Sequence, residues 1–264
     1  MPGHRDSGTP RRAAAFALTL AAIVCAGPAV AGPWRAPRVV RSGVLLDRHG
    51  LIERPLLREA LASLKAHQGQ IANQRRIAVV DLSRPSGEPR FYVLNLHDGS
   101  VRLVVTTHGK GSDPDQTGRA VRVSNAAGSL ASATGGYLTG GAYYSAAHLS
   151  EAVRLDGLDP TNSAARCRCI VMHQAERADG QDYASRAWIA AHVGADGHGQ
   201  AGRSDGCFAF SREAMPYVLR RMTPGTFVYA GPARLPQFTP DLAGTTQADC
   251  CPESEGAPAP AAQP

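Results

Sequence analysis

Short strand-like segments separated by turn residues dominate the chain, and they constrain its fold more than any other feature. These segments are rich in Val, Ile, Leu and aromatic residues, and they lie at 76–82, 90–96, 101–107, 166–173 and 225–231. Asp98-Gly99, between the second and third segments, is a typical hairpin turn. The pattern predicts a mainly β domain over residues 76–231.

A few helices are expected beside these strands. Segment 54–67 places its leucines on one stripe, and Pro55 is suited to a helix start. Helices are also predicted at 182–193 and at 211–222, the second bent near Pro216.

The stretch from 108 to 165 is rich in Gly, Ser, Thr and Asn, which favour loops. Loops of this length are uncommon in a compact domain unless they are functional. We therefore expect functional loops in this stretch.

The N-terminus has the layout of a secretory signal peptide. A basic start precedes a short apolar core, and small residues end it, so residues 1–31 are predicted to be cleaved after Ala31. An N-terminal segment with one helix (32–75) and a Pro- and Ala-rich, disordered tail (232–264) would flank the β domain. No later stretch is apolar enough to span a bilayer, so we expect a periplasmic or cell-envelope protein.

The charge pattern does not favour nucleic acid as a partner. The formal charge is +6, but the arginines are scattered and form neither a basic helix nor a basic–aromatic block. A modest basic excess also suits an envelope of anionic polymers.

The cysteine count points to a free thiol. Five cysteines follow the predicted cleavage site: Cys167, Cys169, Cys207, Cys250 and Cys251. Because five is odd, at least one is free or pairs with another molecule. Cys207 is the best candidate, although the two tail cysteines could pair with each other or with Cys167 or Cys169.

Cys207 has surroundings suited to a nucleophile. A cysteine nucleophile needs a base, and His173 closes an apolar strand 34 positions earlier. Gly206 allows backbone N–H groups to face a developing oxyanion, and Arg203 could bind a carboxylate. If 166–173 is one strand, Cys169 lies about 13 Å from the His173 end, at about 3.3 Å per residue.

A zinc protein that uses Cys167, Cys169 and histidines is a weaker alternative. The C-x-C spacing differs from the C-x₂₋₄-C of structural zinc sites.

Several motifs together resemble a known family. They are THGKGS (107–112), TGRAVRVSN (117–125), GSLASATGGYLTG (128–140), the stretch 142–173 that ends in RCRCIVMH, and GRSDGC (202–207). In this order they resemble the murein L,D-transpeptidase catalytic domain, in a branch distinct from the YkuD-type. The resemblance spans about 77 to 230 and implies a β-sandwich or barrel catalytic domain.

The resemblance also implies roles for single residues. Cys207 matches the nucleophile, His173 the base, and Gly206 and Ser204 the loop that frames the oxyanion site. The carbonyl of Gln174 matches the group that orients the imidazole. Further motif positions match residues around the cleft: His108, Asn125, Tyr137 and His148. For these four, hydrogen bonds that stabilise loops are the alternative role.

The chain departs from the family at three places. Gln174 replaces the usual glycine and could narrow the cleft, and Phe208 replaces the usual proline. The YkuD-type arginine after the cysteine is missing, which leaves Arg203 as the candidate for a substrate carboxylate.

These observations predict a periplasmic cysteine acyltransferase or carboxypeptidase that acts on peptidoglycan stem peptides through a thioester. The chemistry requires no metal and no organic cofactor. The alternative is a peptidoglycan-binding protein that keeps the fold without turnover, an alternative that Gln174 and the missing arginine motivate.

Overall fold

The structure, a computed structural model, describes residues 39–177 and 179–239. The predicted signal peptide, with its cleavage site at Ala31, lies outside the described residues. So does most of the predicted tail, including Cys250 and Cys251. No helix in the described part of the chain has the length and apolarity that a membrane crossing requires.

The described residues contain twelve strands and three α-helices. The strands are β1 (Val39–Arg41), β2 (Val44–Leu46), β3 (Asn73–Asp81), β4 (Pro89–Asn95), β5 (Val101–Val105), β6 (His108–Gly109), β7 (Gly135–Ser145), β8 (Ser150–Gly157), β9 (Val171–Gln174), β10 (Arg203–Ser204), β11 (Phe208–Phe210) and β12 (Thr226–Gly231). The helices are α1 (Arg54–Ala66), α2 (Arg186–Ala191) and α3 (Met215–Arg221).

Eight of the strands form one sheet in the order β11-β9-β8-β7-β12-β3-β4-β5. The pairs β11–β9 and β12–β3 are parallel, and the other neighbours are antiparallel. Strands β1 and β2 form a separate antiparallel pair, and β6 and β10 a separate parallel pair. The β6–β10 pair places Arg203 opposite His108.

Alternation along the central strands separates two apolar layers. On β3, Ala78 and Val80 belong to one cluster, whereas Ile77 and Val79 belong to the other. On β12, Val228 belongs to the first cluster, whereas its neighbours Phe227 and Tyr229 belong to the second. Successive side chains of a strand point to opposite faces, so this sheet is buried on both faces along its centre.

The sheet curves until its two ends meet. Phe91 on β4 and Phe210 on β11 lie near opposite ends of the strand order, yet their ring centroids are 4.8 Å apart. Beyond β5, the Thr107 N–H donates to the carbonyl of Ala209 at 3.1 Å. The first cluster therefore fills the inside of a near-barrel, and the prediction of a mainly β fold with a few helices is confirmed.

Helix α1 covers the outer face of the sheet. Pro55 occupies its first turn, where a missing N–H costs nothing. Leu56, Leu57 and Leu64 are buried in the second cluster with residues of β3, β4 and β12. The helix predicted at 54–67 therefore forms, and it packs directly on the sheet.

Three predictions about local structure are wrong. The loop-rich stretch 108–165 contains the two long strands β7 and β8, whose glycines lie within strands as well as turns. Residues 166–169 form turns and not a strand, and Cys169 has a φ of +53°. Helix α3 begins at Met215, so Pro216 lies in its first turn and does not bend the helix.

We predict that Leu57→Ala destabilises the fold by about 2–5 kcal/mol, because it leaves a cavity where the side chain is fully buried. Urea unfolding measures the loss. Arg58→Ala, one position along on the exposed face of α1, is the matched control and should change stability by about 0.5 kcal/mol or less. Equal effects of the two substitutions would contradict the packing of α1 on the sheet.

Candidate active site

The parallel pairing of β9 and β11 brings Cys207 beside His173. Phe208 pairs with Met172 and Ala209 with His173, so Cys207, just before β11, lies next to Val171. Val171 and His173 are two residues apart and share a face of β9. The thiol and the imidazole therefore meet on one side of the sheet.

Backbone groups of the preceding segment hold the sulfur of Cys207. The Val171 N–H donates to Sγ at 3.5 Å, and the thiol donates to the carbonyl of Cys169 at 3.4 Å. The distance of about 13 Å between Cys169 and the His173 end assumed one strand over 166–173. That premise is wrong, because residues 166–169 form turns that bring the Cys169 carbonyl to the sulfur of Cys207.

Cys207 is the free cysteine among the described residues, as predicted. Cys167 and Cys169 are disulfide-bonded. Their sulfurs are therefore not available as zinc ligands, and the alternative of a zinc protein built on these two cysteines is wrong.

One hydrogen bond fixes the imidazole of His173. Its Nδ1 lies 2.7 Å from the carbonyl of Gln174, and because a carbonyl only accepts, Nδ1 carries the hydrogen. In the neutral ring Nε2 then has a free lone pair. Nε2 is buried and has no hydrogen-bond partner within the described residues. An imidazole in this state can accept a proton on Nε2 and act as a general base.

Burial keeps both members of the pair uncharged. It raises the pKa of the Cys207 thiol to about 11, against the opposing effect of the Val171 N–H. Burial, and then the neighbouring His148, lowers the pKa of His173 to about 3. The resting pair is thus a thiol and a neutral imidazole, and the proton must move as the sulfur attacks.

The loop from Ser204 to Cys207 is held by its own hydrogen bonds. Ser204 Oγ donates to the carbonyl of Cys207 at 2.7 Å and accepts from the Gly206 N–H at 3.2 Å. The N–H of Gly206 is therefore occupied within the loop. Gly206 has a φ of +121°, and a Cβ there would lie 2.7 Å from the carbonyl oxygen of Ala131. Only glycine fits this position without strain.

His148 covers one face of His173. The two rings are stacked, with centroids 3.6 Å apart and planes inclined by 13°. A nitrogen of each ring and the sulfur of Cys207 all lie within 4.8 Å of one another, the one group of metal-ligand type found in the described ranges. A metal bound there would occupy the sulfur and the imidazole that nucleophilic chemistry requires, so the two uses exclude each other.

A cleft of about 280 Å³ opens above the thiol. Of the predicted site residues, Cys207, His173, His148, Arg203 and Ser204 line it. Sequence reasoning missed the other side chains of its wall, which are Lys110, Arg177, Tyr183, Trp188 and Asp205. Lys110 and Asp205 lie within motifs that carried the resemblance. Tyr183 and Trp188 lie in the helix predicted at 182–193, where nothing in the sequence marked them as site residues.

Of the four residues that the resemblance places around the cleft, only His148 lines it, and the other three lie away from it. His108 is fully buried between Arg90, at 2.8 Å from its Nδ1, and Asp113, at 3.3 Å from its Nε2. The Asn125 amide donates to the carbonyl of Pro160 at 3.0 Å, a loop-stabilising bond. The Tyr137 hydroxyl donates to the Ala133 carbonyl, and its ring packs on Phe208 in the core.

Gln174 follows His173 and Phe208 follows Cys207, at two positions where the chain differs from the family, and neither residue obstructs the cleft. The Gln174 side chain donates to the carboxylate of Glu176 and is not part of the cleft wall. Phe208 is fully buried and lies in the core below the thiol. The expectation that Gln174 narrows the cleft is therefore wrong.

The chain is similar to known proteins. A model of the L,D-transpeptidase catalytic domain matches residues 49–230, and no curated protein matches the chain. Among solved structures, the chain is similar to LD transpeptidase LdtMt1 in complex with imipenem, with 15% identity, a TM-score of 0.31 and coverage of 60% of this chain and 59% of that one. It is also similar to the L,D-transpeptidase from Xylanimonas cellulosilytica DSM 15894, with 17% identity, a TM-score of 0.28 and coverage of 65% and 68%. The chain thus spans less than two thirds of the length of the first of these structures.

We predict that His108 makes the fold acid-sensitive. Burial, and then the guanidinium of Arg90, lowers its pKa from 6.5 to about 4. Between these values the unfolded chain binds a proton that the folded chain does not, so the free energy of unfolding falls as pH falls. From pH 6.5 to 4.5 the loss is about 2 kcal/mol, at about 1.4 kcal/mol per pKa unit.

Urea unfolding across this pH range tests the effect. His108→Gln keeps one acceptor and one donor but does not titrate, so its stability should fall less with acid than that of the wild type. Parallel pH profiles for the two proteins would exclude His108 as the source. His173 titrates in both proteins and does not enter the difference.

Proposed function

Since the chain belongs to the L,D-transpeptidase catalytic domain family, we propose that it is an exported cysteine acyltransferase acting on peptidoglycan stem peptides in the periplasm. The observation that carries the proposal is the pair formed by a free thiol and a carbonyl-oriented imidazole at the base of a cleft. The predicted signal peptide supports the export step.

The first half of the reaction forms a thioester. The Cys207 thiol leaves the Cys169 carbonyl and gives its proton to Nε2 of His173, while the sulfur attacks the peptide carbonyl that follows an L-centre. The C–N bond then breaks, and the imidazolium returns the proton to the leaving amine. The hydrogen bond from Nδ1 of His173 to the Gln174 carbonyl stabilises the transient imidazolium.

The second half releases the acyl group. The amine of a neighbouring stem attacks the thioester, loses a proton to His173, and displaces the thiolate, which is then reprotonated. Water in place of the amine gives carboxypeptidase activity. The protons pass between the thiol, the imidazole and the amines, and no atom changes its oxidation state, so the reaction requires no oxidant.

Arg203 is our candidate for the carboxylate of the substrate. It lines the cleft, and its Nη1 donates to the backbone carbonyl of Asp113 at 2.6 Å. The other two cations of the cleft already face acids, Lys110 with Asp205 at 2.9 Å and Arg177 with Asp179 at 3.5 Å. Arg203 has no such carboxylate partner within the described residues, so its charge is available to a ligand.

The alternative of a non-catalytic binding protein loses part of its basis. It was motivated by Gln174, whose side chain turns away from the cleft. Within the described residues, the thiol of Cys207 is free and Nε2 of His173 has no hydrogen-bond partner, and both observations favour turnover.

We predict that the mature protein forms a covalent adduct on Cys207 when it is incubated with muropeptide tetrapeptides. Mass spectrometry of the intact protein and of its peptides should locate a thioester at this residue. Cys207→Ala should keep its melting temperature within a few degrees and form neither adduct nor product. Turnover by Cys207→Ala, or an adduct on another residue, would refute the proposal, and binding of muropeptide without an adduct would support the non-catalytic alternative.

We predict that Arg203→Gln lowers kcat/KM for muropeptides about 10- to 100-fold, because a charged hydrogen bond is worth about 1.5–3 kcal/mol. Arg177→Gln is the matched control, since it removes a cation of the same cleft that already faces an acid. It should lower kcat/KM less than threefold. Equal losses in the two variants would mean that kcat/KM depends on the total charge of the cleft and not on a specific contact with the guanidinium of Arg203.

A further inference from the structure

We propose that His148 is a positioning residue, which holds the imidazole of His173 in place and shields it from water. The inference rests on the proposed function, because it assigns a role in that reaction. It is carried by the stacked geometry of the two rings at the tip of a hairpin.

The β7–β8 hairpin delivers His148 to the site. Its N–H donates to the carbonyl of Ser145 at 3.2 Å, and the following Leu149 has a φ of +49°. This tight turn folds the imidazole inward, whereas the Leu149 side chain is 67% exposed. An apolar side chain points to solvent while a polar ring covers the site, which is the reverse of what burial of apolar surface alone would favour.

The stack restricts a ring that is otherwise held at one atom. His173 has a single side-chain hydrogen bond, from Nδ1, and Nε2 has none within the described part of the chain. A ring held at one atom can still tilt about that bond. The parallel face of His148, 3.6 Å away between centroids, blocks the tilt on one side and excludes water from that face.

The stack also sets which ring takes a proton first. Two imidazoles in contact disfavour a second positive charge. Burial lowers the pKa of His148, and the nearby charge of Asp205 opposes this effect. His173 is only 2% exposed, and the effect opposing burial there is its hydrogen bond to the Gln174 carbonyl. The other titratable groups that line the same cleft are Lys110, Arg177, Arg203, the phenol of Tyr183 and the neutral thiol of Cys207. His148 therefore takes the first proton, and His173 stays a free base.

Three substitutions separate the stack from other effects. His148→Phe keeps a flat ring over His173 but does not titrate. His148→Ala removes both the ring and the charge. Leu149→Ala changes the same turn at an exposed side chain and controls for damage to the hairpin.

We expect His148→Ala to lower kcat about 10- to 100-fold with KM changed less than threefold, as for a residue that acts on the chemical step. Without the cover, His173 is better hydrated, its pKa rises, and the acid limb of the kcat profile moves to higher pH. His148→Phe should restore kcat to within about fivefold of the wild type. Leu149→Ala should match the wild type in both measurements.

The rate of Cys207 alkylation by iodoacetamide, measured against pH without substrate, gives a second readout. His148→Ala should shift this profile and His148→Phe should shift it less. If His148→Ala leaves kcat and the alkylation profile unchanged, or if His148→Phe is as impaired as His148→Ala, the positioning role is wrong.

The two proposals can fail separately. If wild-type protein forms no adduct with muropeptides, the proposed function fails, yet the alkylation profile still reports whether His148 governs the Cys207–His173 pair. If the adduct forms and both readouts are insensitive to His148, the function stands and this inference falls.

Discussion

Two short parallel strands hold the site together. Strand β11 has three residues and β9 has four, but their register decides that the residue before β11 lies beside Val171, two positions from His173. A shift of this register by one residue would turn His173 to the opposite face of the sheet. The apolar residues Met172, Phe208 and Phe210 resist such a shift, because all three are fully buried in the same cluster.

The site combines this rigid frame with a dry interior. The thiol, the imidazole and the second imidazole above it all have pKa values displaced toward the neutral form, and burial is the first cause in each. Burial therefore disfavours the charged forms of these three groups in the resting site, and charge develops on them only during the reaction. The side chains of Lys110 and Arg177 at the same cleft are more than half exposed, so solvent and their acidic partners stabilise their charges.

Sequence reasoning predicted the parts of the fold that local chemistry decides. Helix α1 follows from its leucine stripe and Pro55, and the hairpin at Gly99, with a φ of +73°, follows from Asp98-Gly99. Strand β7 was missed because glycines interrupt its apolar pattern, and β8 was missed because charged residues interrupt its pattern. Pairing with neighbouring strands forms both strands where local propensity is weak.

The candidate site was predictable in its reactive pair and less so in its walls. The end of an apolar strand and a Gly-Cys loop identified His173 and Cys207, and the resemblance supplied the carbonyl of Gln174. The roles of His108 and Asn125 depend on partners 18 and 35 positions away, which no local pattern specifies. The contact between His148 and His173 likewise depends on how a hairpin folds over the sheet.

The closing of the sheet has a consequence for the strand that follows the nucleophile. Strand β11 is the last in its sheet, and Ala209 directs its backbone groups to the outer edge. Its N–H donates to the Thr107 hydroxyl at 3.1 Å, and its carbonyl accepts from the Thr107 N–H at 3.1 Å. Unpaired edges invite strands of other molecules. Because Thr107 occupies the N–H and the carbonyl of Ala209, these two groups of β11 cannot pair with a strand of another molecule.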